Sequence, residues 1–227
     1  MGGLAFLIFG RVIPGAVFAF LATVQVQALA PELKVAYNDA SNIGAITLII
    51  NRLLFLAFVS AVALIYVFRK PPALGRREPI TFAVSMYASF VLLALRPVAD
   101  LVHAPVAFNS RPAAILMSNV FLISGFAFAA YSLAYLRFSF SILPEARAMV
   151  TGGPYRLVRH PIYLGEIIAG FGLVVTLLSW FSLAVLISFI AAQLYRTYIE
   201  EGVLVKAIPG YAAYRLKTPH RLIPGVI

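Results

Sequence analysis

Long apolar runs separated by short polar stretches dominate this chain. Charge-free runs predict membrane-length helices at about residues 12–30, 43–68, 80–95 and 113–136. Asn51-Arg52 interrupts the second, and Arg96-Pro97 is expected to end the third. The next run, from Pro161 to Tyr195, is 35 residues long. As one helix it would reach ~52 Å, against a hydrocarbon core of ~30 Å. It is therefore read as two spans, the fifth and sixth, turning near Ser179-Trp180-Phe181-Ser182 with Trp180 at the interface.

Composition fixes the class. Of 227 residues, 62% are hydrophobic and 11% charged, with mean hydropathy +0.95. Soluble domains carry roughly 25% charged residues. The chain thus reads as an all-α integral membrane protein of about six transmembrane helices, with no room for a soluble domain. It contains no Cys, which excludes disulfides, thiolate metal sites and a Cys nucleophile. The net charge of +10 reads as orientation charge and not as a nucleic-acid surface. With both termini cytoplasmic, fourteen Lys/Arg fall inside and three (Lys34, Arg96, Arg111) outside, with Arg52 inside a span. Ala28-Leu29-Ala30 looks like a signal-peptidase site, but no basic residue precedes the apolar stretch and Arg11 comes late, so a retained first helix is expected. Phe6 stands where a myristoylation signal needs Ser or Thr.

Two polar clusters flank the last hairpin, and the charge bias puts both at the cytoplasmic face. The first is Gly153-Pro154-Tyr155-Arg156-Leu157-Val158-Arg159-His160-Pro161-Ile162-Tyr163-Leu164-Gly165. Pro suits a first helical turn, so the fifth helix should begin at Pro161, with its positive dipole end beside Arg159 and His160. The glycines of the strip before it permit close backbone approach to a ligand. The second cluster is Arg196, Glu200 and Glu201. Arg196 and Glu200 share a helix face. Only eight Asp/Glu occur in the chain, and two of them adjoin here at a low-dielectric boundary, which suggests a cationic partner. A basic interfacial loop and a helix-end salt bridge are the plainer readings of the two clusters.

In this order and spacing the residues resemble the isoprenylcysteine carboxyl methyltransferase and phospholipid N-methyltransferase superfamily of membrane enzymes. The resemblance rests on the Gly-Pro-Tyr turn, Arg159-His160-Pro161-Ile162-Tyr163-Leu164-Gly165, Glu200-Glu201, Tyr211-Ala212-Ala213-Tyr214 and Leu222-Ile223-Pro224-Gly225. It covers about residues 139–225 and implies a division into N-terminal helices (1–138) and a methyltransferase-like core (139–227). It further implies a pocket for S-adenosylmethionine formed by Arg147, Ala148, Met149, Val150, Tyr155, Arg159, His160, Pro161, Ile162, Tyr163 and Glu200. Arg196 would act on the methyl acceptor. Eukaryotic carboxyl methyltransferases tend to have His where Arg147 stands.

The chemistry of the residues agrees with that implication. Glu can neutralise the cofactor's positive charge, while Arg and helix N–H groups can hold its carboxylate. Methyl transfer is an in-line displacement that needs alignment and desolvation. A carboxylate acceptor needs only orientation by Arg; an amine acceptor must also lose a proton, for which His160 or Glu201 is available. The acceptor is expected to be a lipid or lipidated molecule, with O- and N-methylation both open. A sterol-reductase-type enzyme is the alternative, although Glu200-Glu201 would repel the phosphates of NADPH. A non-enzymatic membrane protein or transporter would more naturally place its polar groups at the midplane. His103, His160 and His220 lack ligand spacing, so no metal is expected. Arg52 is read as snorkelling or pairing within the bundle.

Overall fold

The computed structural model describes residues 7–39, 43–69, 71–75, 78–101 and 111–225. Met1-Gly2, Phe6, Lys70, Arg76, Arg77 and His103 lie outside these residues. The described elements are α1 (Ile13–Asn38, preceded by a π-helical turn Ile8–Val12), α2 (Ile43–Phe68), α3 (Pro79–Leu101), α4 (Pro112–Leu136), α5 (Pro161–Thr176), α6 (Trp180–Ala207) and the short α7 (Tyr211–Lys217). A two-residue strand β1 (Leu74–Gly75) pairs antiparallel with β2 (Glu145–Ala146). Among the described residues the protein is all-α apart from this pair, and four helical stretches there are long and apolar enough to cross a membrane. The apolar stretches Pro79–Leu95 and Pro161–Val175 are shorter. At 16 residues, α5 is ~24 Å long, short of a hydrocarbon core of ~30 Å.

Three expected boundaries moved. Helix α1 continues through Pro31 to Asn38, and α3 continues past Arg96-Pro97 to Leu101. Proline is tolerated in apolar helices when neighbouring groups satisfy the carbonyl it frees. Asn51-Arg52 does not break α2: Arg52 Nε binds Glu32 Oε1 at 2.6 Å and its Nη1 binds Gln25 at 3.1 Å, so the charge is paired inside the bundle.

The chain forms two compact units. The first comprises residues up to Pro71 with Leu136–Phe140. In it Phe18 stacks on Tyr66 at 5.9 Å, Arg69 lies over the Tyr66 ring at 4.2 Å, and Arg11 donates two hydrogen bonds to the Arg69 carbonyl.

The second unit, Pro72–Tyr135 with Ser141–Ile227, contains the family-like segment together with α3 and α4. Helices α4 and α5 meet through small residues. A Cβ on Gly165 would lie 2.7 Å from the Gly125 carbonyl oxygen and 2.8 Å from the Ala129 nitrogen, so only glycine permits this approach. Two turns further along, Ser118 Oγ donates to the Gly172 carbonyl at 2.7 Å. The hairpin turns where the sequence places it. Leu177 follows α5, and Ser179 caps α6 through a reciprocal box with Ser182, an arrangement that stabilises a helix start by about 1 kcal/mol. The two hairpin ends therefore return to the same side, with α5 beginning where α6 finishes.

Candidate active site

The Gly153–Arg156 turn is a 3-10 helix entered through Gly153 at φ +55°, a left-handed conformation that favours glycine. A Cβ there would also strike the Tyr135 ring. The turn buries Tyr155, whose carbonyl accepts the Tyr214 hydroxyl at 2.7 Å. Burial raises the Tyr155 phenol, with nearby Glu200 adding to the shift. Burial likewise lifts Tyr214 to about 12 and raises Tyr211. All three phenols therefore stay neutral at physiological pH.

The C-terminal segment straps this turn down. The backbone N–H groups of Arg159 and His160 donate to the carbonyls of His220 and Arg221, each at 3.0 Å. Arg159 Nη1 donates to the carbonyls of Thr218 and Pro219 at 2.8 and 2.6 Å. Its Nε reaches Glu201 Oε1 at 2.7 Å. Glu201 also meets His160 Nε2 at 3.3 Å, both Nε and Nη2 of Arg221 at 3.3 Å, and Arg215 Nε at 3.6 Å. It is 3% exposed. Its cationic partners are therefore the protein's own, which weighs against its serving as a base: a buried carboxylate held by three guanidiniums has little tendency to take a proton.

Glu200 lies in different surroundings. It accepts the Tyr163 hydroxyl at 2.8 Å and stands 3.8 Å from His160 Nδ1, and its side chain is 23% exposed. The His160 ring stacks parallel on Tyr163, with centroids 5.6 Å apart. On the other side of the motif, the Arg196 guanidinium lies 4.5 Å from the Tyr163 ring centroid. Tyr163 thus joins the two charged residues that the sequence places one helical turn apart. Pro161 and Ile162, also expected at the site, are buried at the start of α5.

Arg196 is 3% exposed and belongs to a deeper polar chain. Its Nη1 donates to Gln193 Oε1 at 3.0 Å and its Nη2 to the Ile142 carbonyl at 2.9 Å. Gln193 Nε2 donates in turn to Glu166 Oε2 at 2.6 Å. Arg196 Nε has no hydrogen-bond partner.

The strip before the turn is mixed in burial. Arg147 Nη2 binds Glu145 Oε2 at 2.7 Å, an oxygen that also accepts Ser141 Oγ at 2.7 Å. Ala148 and Met149 are exposed and Val150 is half-buried. Met149 approaches Gly210, which caps α7.

Sequence reasoning assigned no role to Gln193, Glu166 or Arg221. Gln193 was detectable, being an uncharged polar residue three before Arg196 in an apolar run. Arg221 was not, because its link to Glu201 depends on the return of the C-terminal segment.

Residues 112–208 match the family model for phospholipid methyltransferase. The match begins at α4, spans the turn and the hairpin, and stops before Tyr211. This part of the chain is similar to phospholipid methyltransferases, in keeping with the resemblance that the sequence motifs carry. No curated protein matches the chain.

Proposed function

We propose that this membrane protein, similar to phospholipid methyltransferases at residues 112–208, transfers a methyl group from S-adenosylmethionine to a lipid or lipidated acceptor at the cytoplasmic face. The observation that carries the proposal is the asymmetry of the Glu pair. Glu201 is neutralised by Arg159, Arg215 and Arg221, whereas Glu200 holds a phenol and remains partly exposed. A carboxylate left available beside a histidine and a helix start fits a cationic ligand that also carries a carboxylate. A doubly phosphorylated cofactor would be repelled by Glu200.

When bound, S-adenosylmethionine supplies an electrophilic methyl group. Glu200 would neutralise its positive charge, with His160 and Tyr163 as the wall of the pocket. Arg196, one turn along α6, would orient the acceptor across the Tyr163 ring. The burial of Arg196 and Gln193 keeps water from the line of transfer. A carboxylate acceptor would need nothing more. An amine acceptor would need a base, for which His160 is the candidate.

Titration calorimetry on detergent-purified protein tests the reading. S-adenosylmethionine should bind, and Glu200→Gln should weaken it roughly tenfold to a hundredfold, as for loss of a charge-assisted bond of ~1.5–3 kcal/mol. Binding of NADPH in its place would overturn the proposal in favour of a reductase. The cytoplasmic assignment is tested with Cys at the exposed positions Leu157 and Gly202. Both should be labelled by a membrane-impermeant reagent in inverted vesicles and not from outside.

A further inference from the structure

Helix α3 precedes the matched domain, yet it packs within the same compact unit as the hairpin. Two of its hydroxyls, Thr81 Oγ1 and Ser85 Oγ, have no hydrogen-bond partner, and the residues are 1% and 0% exposed. Hydroxyls in apolar helices commonly satisfy themselves on the carbonyl four residues back. Ser89 does so on Ser85, and Ser132 on Phe128, both within this unit. Thr81 and Ser85 do not.

Their level in the bundle follows from neighbouring contacts. Tyr87 bonds Ser188, while Leu92 and Leu186 both border Gly170. Helices α3 and α6 therefore run antiparallel, in a register that sets Ser85 level with residues 190–193 and Thr81 level with residues 194–197, the turn of α6 that carries Arg196. Arg196 contributes a third orphan, its Nε. One layer of the bundle thus holds three unused donors, one of them cationic. Each buried polar group left unsatisfied costs about 1–3 kcal/mol, so such a grouping calls for an absent acceptor.

We infer that Thr81, Ser85 and Arg196 form the headgroup subsite for the methyl acceptor and take an anionic oxygen, either a carboxylate or a phosphate. The inference rests on the methyltransferase reading and deepens it: acceptor choice would depend on α3, outside the matched domain. The layer is closed to solvent, so an anion would reach it by parting α3 from α6 and shedding its water.

The test is direct binding to the full chain in a neutral detergent, with dodecyl phosphate, a farnesylcysteine carboxylate and uncharged dodecanol as probes. At least one anionic probe should bind more tightly than dodecanol. Preference for the phosphate would indicate a phospholipid acceptor, and preference for the carboxylate a lipidated acid. Thr81→Val and Ser85→Ala should each weaken the favoured probe roughly tenfold. S-adenosylmethionine affinity should stay unchanged, and the unliganded melting temperature should hold or rise because an orphan hydroxyl is gone. If neither anion bound better than dodecanol, or if both variants bound the favoured probe like the parent, the subsite would be refuted. Failure of the parent to bind S-adenosylmethionine would instead strike the underlying function and leave the anion measurement standing.

Discussion

Two buried polar regions lie about one turn apart on α6, and they differ in how fully they are satisfied. Around Glu201 the demand for hydrogen bonds is met: its two oxygens face three guanidiniums and an imidazole, and Arg159 is satisfied by two backbone carbonyls besides. Around Arg196 a donor is left over. A saturated network binds nothing further and holds its segments in place, whereas an unsaturated one is stable only when its surroundings compensate or a ligand completes it. The saturated region is thus the frame, and Glu200 and Arg196 are the groups the frame presents.

The sharpest way to break this contrast is Glu201→Gln. Removing one partner from a buried charge network typically costs ~3–5 kcal/mol. The expected result is a large fall in melting temperature and rapid proteolysis of the strap after Ala207. A variant that melts like the parent and loses only activity would return Glu201 to catalysis.

Arg196→Lys should act the other way. The charge is retained while the planar fork over Tyr163 and the donors to Gln193 and Ile142 are lost. Turnover should fall about tenfold or more, and S-adenosylmethionine affinity should change less than threefold. Loss of cofactor binding with the fold intact would place Arg196 in the cofactor pocket.

Tyr214→Phe should have a smaller effect, removing the strap's bond to Tyr155 for about 0.5–1.5 kcal/mol. The burial of this phenol has a pH signature of its own. Because folding raises this phenol from ~10 to about 12, its stabilisation is complete at neutral pH and lost as pH rises through that interval. The parent should lose stability there more steeply than the Phe variant.

The smallest change is expected from Tyr163→Phe. It frees Glu200 from its phenol but keeps the ring under Arg196 and beside His160. Calorimetry should show cofactor affinity altered by less than about tenfold.

Much of this arrangement was legible in the sequence for a physical reason. Membrane helices are long and apolar, so the main helices and the reversal near Ser179 follow from hydropathy and length. The meeting of Arg159-His160-Pro161 with Glu200-Glu201 follows from that reversal. What was hidden depends on groups whose partners are remote or whose pattern is too short. A two-residue strand such as Leu74–Gly75 has no period to detect. The difference between Glu200 and Glu201, adjacent and identical in sequence, comes from Arg221 and Arg215 folding back. The continuation of α1 through Pro31 and of α3 through Pro97 is tertiary context overriding a local breaker.

The shortness of α5 couples this chemistry to the bilayer itself. A ~24 Å helix is some 6 Å shorter than a typical hydrocarbon core. Its Pro161 end is held by the Arg159 and His160 bonds to the strap, and its face is locked to α4 by Gly125 and Gly165. Neither anchor lets it slide, so the lipid must adjust, thinning locally at a modest cost per ångström of mismatch. Local thinning lowers the polar headgroups toward the entrance of the proposed cofactor site. Acyl-chain length then becomes a kinetic variable, and the same enzyme should work faster in thin membranes than in thick ones.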